Sequence, residues 1–213
     1  MENLGLLLIF WYGVLHAFGP DHLAAIANFS IGKGKRKTLI IAILFAIGHG
    51  VTLFLFAKIL EYYFISDTML AYGDIISSCV ILAMGFYLLF LVYTNRIQLK
   101  KHQHDGHEHI HIWFGKNHEH NNNDASLAIT LGALMGIGGV RGMLVILGAL
   151  EGQAVDFTLI LMFVLGVMTI FVGFGAVILY INKNLLNSKK NLKRVFATAG
   201  VVSVVVGSNM LLG

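Results

Sequence analysis

Six apolar runs separated by short polar segments dominate the chain, at residues 3–19, 38–60, 72–93, 127–150, 157–181 and 195–212. Each approaches or exceeds the ~18 residues at which a charge-poor apolar run reads as a transmembrane helix. The pattern predicts an all-α, polytopic membrane protein of six transmembrane helices. The first run is not expected to be a cleaved leader: Met1-Glu2-Asn3 carries no basic residue, and no small-residue cleavage pattern follows.

Composition agrees with that picture. The 213 residues are 57% hydrophobic and 12% charged, with a mean hydropathy of +0.77, whereas soluble domains carry about 25% charged residues. The single cysteine, Cys79, lies inside the third run, which removes any disulfide or cysteine-metal framework. The net charge of +4 points to no nucleic-acid partner, but its distribution sets an orientation. Thirteen of the fifteen basic residues fall in alternate loops: 33–37 after the first run, 96–116 after the third and 183–194 after the fifth. The loops between them carry acids, with Glu61, Asp67 and Asp74 in one, and Glu151 and Asp156 in the other. Lys and Arg near helix ends mark the cytoplasmic side, so both termini are predicted outside.

The two halves echo each other. Shifted by 119 positions, "GVLHAFGPDH" from Gly13 falls on "GALMGIGGVR" from Gly132, and "GHGVTLF" from Gly48 matches "GVMTIF" from Gly166 at nearly the same offset. Three helices per half is an odd number, so the repeat would be inverted in the membrane. Residues 1–94 are read as the first three-helix repeat and 127–213 as the second. Residues 95–126 are read as a disordered, histidine-rich cytoplasmic loop. Glycine-rich packing between helices is the alternative source of the likeness.

The chemistry gathers at "HAFGPDH", residues 16–22. On an unbroken helix, at 100° per residue, Asp21 and His22 would lie about 140° and 240° around from His16. Pro20 removes an N–H and clashes with the carbonyl of His16, four residues earlier, and Gly19 tolerates a sharp bend. A broken first helix is therefore expected, with Asp21 and His22 swung toward His16 and the His16 carbonyl left free. Such a break is tolerated at membrane depth only where it is buried or lines a cavity. His49, between Gly48 and Gly50 in the second run, is a fourth candidate ligand. Imidazoles with one carboxylate suit Ni2+, Co2+, Zn2+ or Cu2+, while Mg2+ and Ca2+ prefer more oxygens. A lone intramembrane histidine also reads as a helix-to-helix hydrogen bond, and an aspartate after proline as a helix cap.

"HAFGPDH" resembles the His-x4-Asp-His signature of the nickel/cobalt transporter (NiCoT) superfamily, and "GHG" at Gly48 resembles its second-helix motif. The layout is most similar to the shorter, six-helix, urease-accessory-like branch. The likeness in layout covers the whole chain, and in motif residues 13–28 and 45–54. It implies a permease in which His16, Asp21 and His22 bind the ion and His49 contributes. The aspartate-bearing "LGFDTATE" of the eight-helix permeases has no counterpart; "GIGGVRG" stands in its place, so no metal ligand carries over to the second half. Efflux members often carry a histidine-rich loop but tend to lack the aspartate at the position of Asp21, which favours uptake.

That loop holds seven histidines, His102, His104, His107, His109, His111, His118 and His120, a composition that binds metals. It is expected to hold them loosely and to serve as a cytoplasmic metal acceptor, or to be a solvated linker. Arg141 lies within the fourth run, where a charge costs about 3 kcal/mol and seeks a partner. It is a counter-ion candidate for Asp21, a residue that snorkels to water, or an anion site. "GKGKRKT" at residues 32–38 lacks the spacing of a phosphate-binding loop. The expected function is a transporter of Ni2+, with Co2+ as second candidate, in the cytoplasmic membrane, with no resident cofactor and no enzymatic activity. The alternatives are an intramembrane metalloenzyme and an exporter of an anion or amino acid that uses Arg141.

Overall fold

The structure, a computed structural model, describes residues 2–63, 66–104, 107–114, 124–140, 157–186 and 188–212. In chain order its elements are α1 (Glu2–Ala17), α2 (Pro20–Ser30), α3 (Lys35–Tyr62), α4 (Asp67–Tyr93), β1 (Ile97–His104), β2 (His107–Phe114), α5 (Asp124–Gly138), α6 (Phe157–Asn184) and α7 (Lys189–Leu212). Four segments are long and apolar enough to cross a membrane: Lys35–Leu60, Ala71–Tyr93, Phe157–Asn184 and Lys189–Leu212. The first apolar run differs from a simple span. Its helix stops at Ala17 after 16 residues, about 24 Å at 1.5 Å per residue, and α2 restarts with Pro20 at its first turn. The fourth run begins as α5; its remainder, with Arg141, lies outside the described residues.

The outer faces of the bundle are apolar. Leu8, Leu15, Val51, Leu55, Phe86 and Val205 are each more than half exposed, more apolar surface than water tolerates on a monomer but suited to acyl chains. Exposed tyrosines gather at both ends, Tyr62, Tyr63 and Tyr72 at one and Tyr93 and Tyr180 at the other, as in interfacial aromatic belts. The protein is thus built as a membrane-embedded helical bundle.

Glycines let the helices touch backbone to backbone. A Cβ added at Gly13 of α1 would overlap the Phe163 carbonyl of α6, and one at Gly166 of α6 would overlap the Phe10 carbonyl of α1. The α3·α5 pair repeats the arrangement: Gly48 meets the Ile129 carbonyl, and Gly132 meets the Phe45 carbonyl. Between α4 and α7, Gly200 packs on Leu89 and Gly207 on Leu82.

At the end rich in Lys and Arg, polar groups tie the elements together. The Asn182 amide donates to the carbonyls of Ser30 and Lys33 and accepts from the N–H of Gly32, all at 2.9–3.0 Å. This clamps the α2–α3 connection to the end of α6. Lys33 and Lys37 reach the Asp124 carboxylate at 2.7 and 3.2 Å, fixing the start of α5 to the same loop.

The loop read as disordered contains a two-stranded antiparallel hairpin, β1 paired with β2 from Ile97↔Phe114 to His104↔His107. Ile97, Leu99, Ile110, Ile112 and Phe114 recur at the two-residue period of a strand. The residues between the strands, Asp105-Gly106 in the sequence, are a favoured pair for two-residue hairpin connections. Ile97 is fully buried with Leu186, Leu192 and Phe196, which anchors β1 to the basic end of the bundle.

Candidate metal centre

The break after α1 builds the site. Gly19 N–H donates to the His16 carbonyl at 3.0 Å and Leu23 N–H to the Gly19 carbonyl at 3.2 Å, so the chain turns sharply and resumes as α2 within three residues. The His16 carbonyl is therefore not free, contrary to the expectation from Pro20 alone. The tight turn gives it the Gly19 N–H in place of the bond that proline cannot make.

The turn brings His22 back against His16, and α3 supplies His49 from the side. The three ring centroids lie 4.8–5.3 Å apart. Nε2 of His16 and Nε2 of His49 are 3.1 Å apart. Two nitrogens bound at about 2.0–2.1 Å to one tetrahedral ion would be about 3.3 Å apart, so little movement separates the two arrangements. One ligand atom from each of the three histidines falls within 4.8 Å of the others. His22 and His49 are buried, at 4% and 0% exposure.

Asp21 sits beside the histidine cluster. Its Oδ1 accepts a hydrogen bond from His22 Nδ1 at 2.9 Å. With Nδ1–H committed to the carboxylate, the lone pair of His22 is on Nε2, a buried atom with no hydrogen-bond partner. This is the carboxylate–histidine pairing that sets the tautomer and orientation of metal-binding imidazoles. The described residues place three imidazoles around the gap, with the carboxylate behind one of them. His49 Nδ1 is also buried, with no hydrogen bond of normal geometry, and the backbone of Gly132 on α5 is close enough to act on it.

Gly19 is required here for space, because its φ of −48° is open to any L-residue. A Cβ at this position would lie 2.5 Å from Asp21 Oδ1 and 2.7 Å from His22 Nδ1, in the middle of their hydrogen bond. Gly19→Ala is expected to separate Asp21 from His22 and weaken metal binding about tenfold or more, by the cost of losing such a partner. Calorimetry with Ni2+ on the folded variant checks this, and unchanged affinity would exclude the pairing.

Sequence reasoning did not single out the aromatic walls. Phe163 of α6 lies 5.4 Å from His16, and Phe171 stacks on His22 at 5.9 Å. Phe45, one turn before His49, is nearly parallel to it at 6.4 Å. All three phenylalanines are buried. They hold the imidazoles apart from water in a setting where nitrogen donors cannot be replaced by solvent. On the far side, α5 ends against the site, where a Cβ at Gly139 would contact the His16 ring at 3.4 Å. Gly139 N–H bonds back to the Gly136 carbonyl at 3.1 Å, the same kind of turn as at Gly19.

The second half offers no matching donors among the described residues. The positions that the repeat aligns with His16, Asp21 and His49 are Met135, Val140 and Val167, and all three are buried in the apolar core. Arg141, aligned with His22, is outside the described residues, as are His118 and His120. No family model, curated protein or solved structure matches the chain.

Proposed function

We propose that the chain is a secondary transporter of the nickel/cobalt permease kind, carrying Ni2+, and Co2+ as a second substrate, inward across the cytoplasmic membrane. The observation that carries this reading is the buried three-histidine cluster at a helix break inside a membrane-embedded bundle. Ionisable groups at that depth mark a pathway, and interrupted helices at the midplane are where secondary transporters bind their ions. Nitrogen donors without thiolates or a shell of carboxylates select late first-row divalent ions over Mg2+ and Ca2+.

The glycine contacts support six spans arranged as an inverted 3+3 repeat, and the basic alternate loops support outside termini. Two nearly equal offsets, one carrying Gly13 to Gly132 and the other Phe45 to Phe163, turn the Gly13–Phe163 contact into Gly132–Phe45. They likewise turn Gly166–Phe10 into Gly48–Ile129, and Gly207–Leu82 into Gly200–Leu89. A pseudo-two-fold axis in the membrane plane relates the members of all three pairs, which supports the repeat. The ion would rest on His16, His22 and His49, oriented by Asp21, and leave as the halves rock against each other. On its sequence position alone, Arg141 is the proposed counter-ion to Asp21 in the empty carrier. A divalent cation gains about 4.6 kcal/mol per 100 mV of inside-negative potential, enough to drive uptake without nucleotide hydrolysis.

An enzyme reading needs a reacting group beside the metal with an open coordination position. The acid nearest the cluster, Asp21, is engaged by His22. Proteoliposomes containing the purified chain and an inside-negative potential test the proposal. Ni2+ entry blocked by excess Co2+ and not by Mg2+ is expected. No entry from folded, correctly inserted protein would refute it.

A further inference from the structure

The hairpin gives the histidine-rich segment an order that composition does not. Its register pairs His102 with His109 and His104 with His107, and sets Lys100 opposite His111. Directly opposed residues in an antiparallel pair share a face, as do residues two apart along one strand. All five histidines of the hairpin, His102, His104, His107, His109 and His111, therefore belong to one face. None belongs to the other, which carries Ile97, Leu99, Ile110, Ile112 and Phe114. The apolar face begins at Ile97, which is fully buried in the bundle, so the histidine face is the opposite one.

The spacing suits one ion. Opposed Cα atoms in such a ladder are about 4.5–5.5 Å apart, and rungs two residues apart are separated by about 7 Å. Four histidine Cα atoms thus occupy a rectangle of roughly 5 by 7 Å. That rectangle brings four potential nitrogen donors to one face within the reach of a single ion. Glu108 pairs with Gln103 on the other face, so the described residues of the histidine face contribute nitrogen and no carboxylate.

The geometry points to a second metal site on the β1–β2 hairpin, built on the His102–His109 and His104–His107 rungs, for a late first-row divalent cation such as Ni2+, Cu2+ or Zn2+. A flexible histidine-rich tail must order its backbone at each binding event, at about 1–2 kcal/mol per residue. A paired ladder has met that cost on folding, so the site binds more tightly than composition alone allows. It stands at the basic end of the bundle, where α4, α6 and α7 enclose Ile97. The site does not rest on the transport reading; it requires only the hairpin.

Calorimetric titration of the full chain in detergent with Ni2+ tests it. One variant combines His102→Gln, Gln103→His, Glu108→His and His109→Glu. It leaves composition unchanged and transfers one histidine rung to the other face. A second, His102→Gln with His109→Gln, removes the rung without altering the apolar alternation. A third, His118→Gln with His120→Gln, removes two histidines beyond the hairpin. The intramembrane histidines are identical in all four proteins, so differences report the hairpin alone. The first two variants are expected to lose at least tenfold in affinity at one site per chain, and the third to match wild type. Wild-type affinity in either of the first two, or an equal loss in the third, would overturn the site and leave only compositional binding.

Discussion

His49→Gln is expected to lower Ni2+ affinity by more than about 100-fold, and Asp21→Asn by about 10–100-fold, the range found when a hydrogen-bond partner of a metal-binding histidine is lost. The order follows from what each side chain touches. His49 Nε2 is 3.1 Å from His16 Nε2, inside the gap that an ion would fill. Glutamine offers one weak oxygen there in place of an imidazole nitrogen. Asp21 reaches the gap only through His22 Nδ1, at 2.9 Å; asparagine can still accept that hydrogen bond but no longer balances the cation's charge. X-ray absorption at the nickel edge separates ligand from positioning residue. In a His102→Gln, His109→Gln background loaded with one Ni2+ per chain, three imidazole nitrogens are expected with Asp21 intact and in Asp21→Asn, and two in His49→Gln. Loss of a carboxylate oxygen in Asp21→Asn with the imidazole count unchanged would return Asp21 to the ligand set.

The largest effects on stability are expected at Gly13 and its counterpart Gly132. A Cβ at either would overlap a backbone carbonyl, of Phe163 and of Phe45 respectively. A clashing side chain can change rotamer, but a carbonyl held in a helix moves only with the helix. Overpacking usually costs about 1–3 kcal/mol, and backbone obstacles belong at the upper end. Gly13→Val and Gly132→Val should therefore each reduce the folded fraction in detergent severely and by similar amounts. Gly173→Val is the control, because no atom lies within 4 Å of a Cβ there. Size-exclusion chromatography after graded heating gives the comparison. One valine tolerated and the other not would argue against equivalent halves.

How far the sequence revealed this arrangement varies by residue. The break was legible because Pro20 and Gly19 act locally, through a missing N–H and a missing Cβ. The grouping of His16 with His22 followed from it, since both flank the turn. The part played by Asp21 was not legible. A motif supplies residue types, whereas the direction of a carboxylate depends on a bond to its immediate neighbour that forms only once the turn is made. Phe45, Phe163 and Phe171 were hidden for another reason: in a chain with 15 phenylalanines, aromatic residues at helical spacing look alike until packing selects three of them. The hairpin had a readable signal, alternating apolar residues on both sides of Asp105-Gly106, but histidines fill the intervening positions and made the segment look merely polar. Apolar runs report hydrophobicity and not continuity: four of the six are long apolar helices among the described residues, the first is interrupted, and the fourth is described only as far as Val140. The first run ends at a break, and α5 stops at Gly138.

The account stands or falls on whether the three-histidine cluster carries metal through the bilayer. The most direct measurement is Ni2+ entry into proteoliposomes under an inside-negative potential, wild type against His49→Gln, at equal reconstituted amounts of folded protein. Entry with wild type and none above protein-free vesicles with the variant is predicted. Equal entry with both would contradict the account, because an ion that crosses without His49 does not pass through the buried His16–His22–His49 cluster.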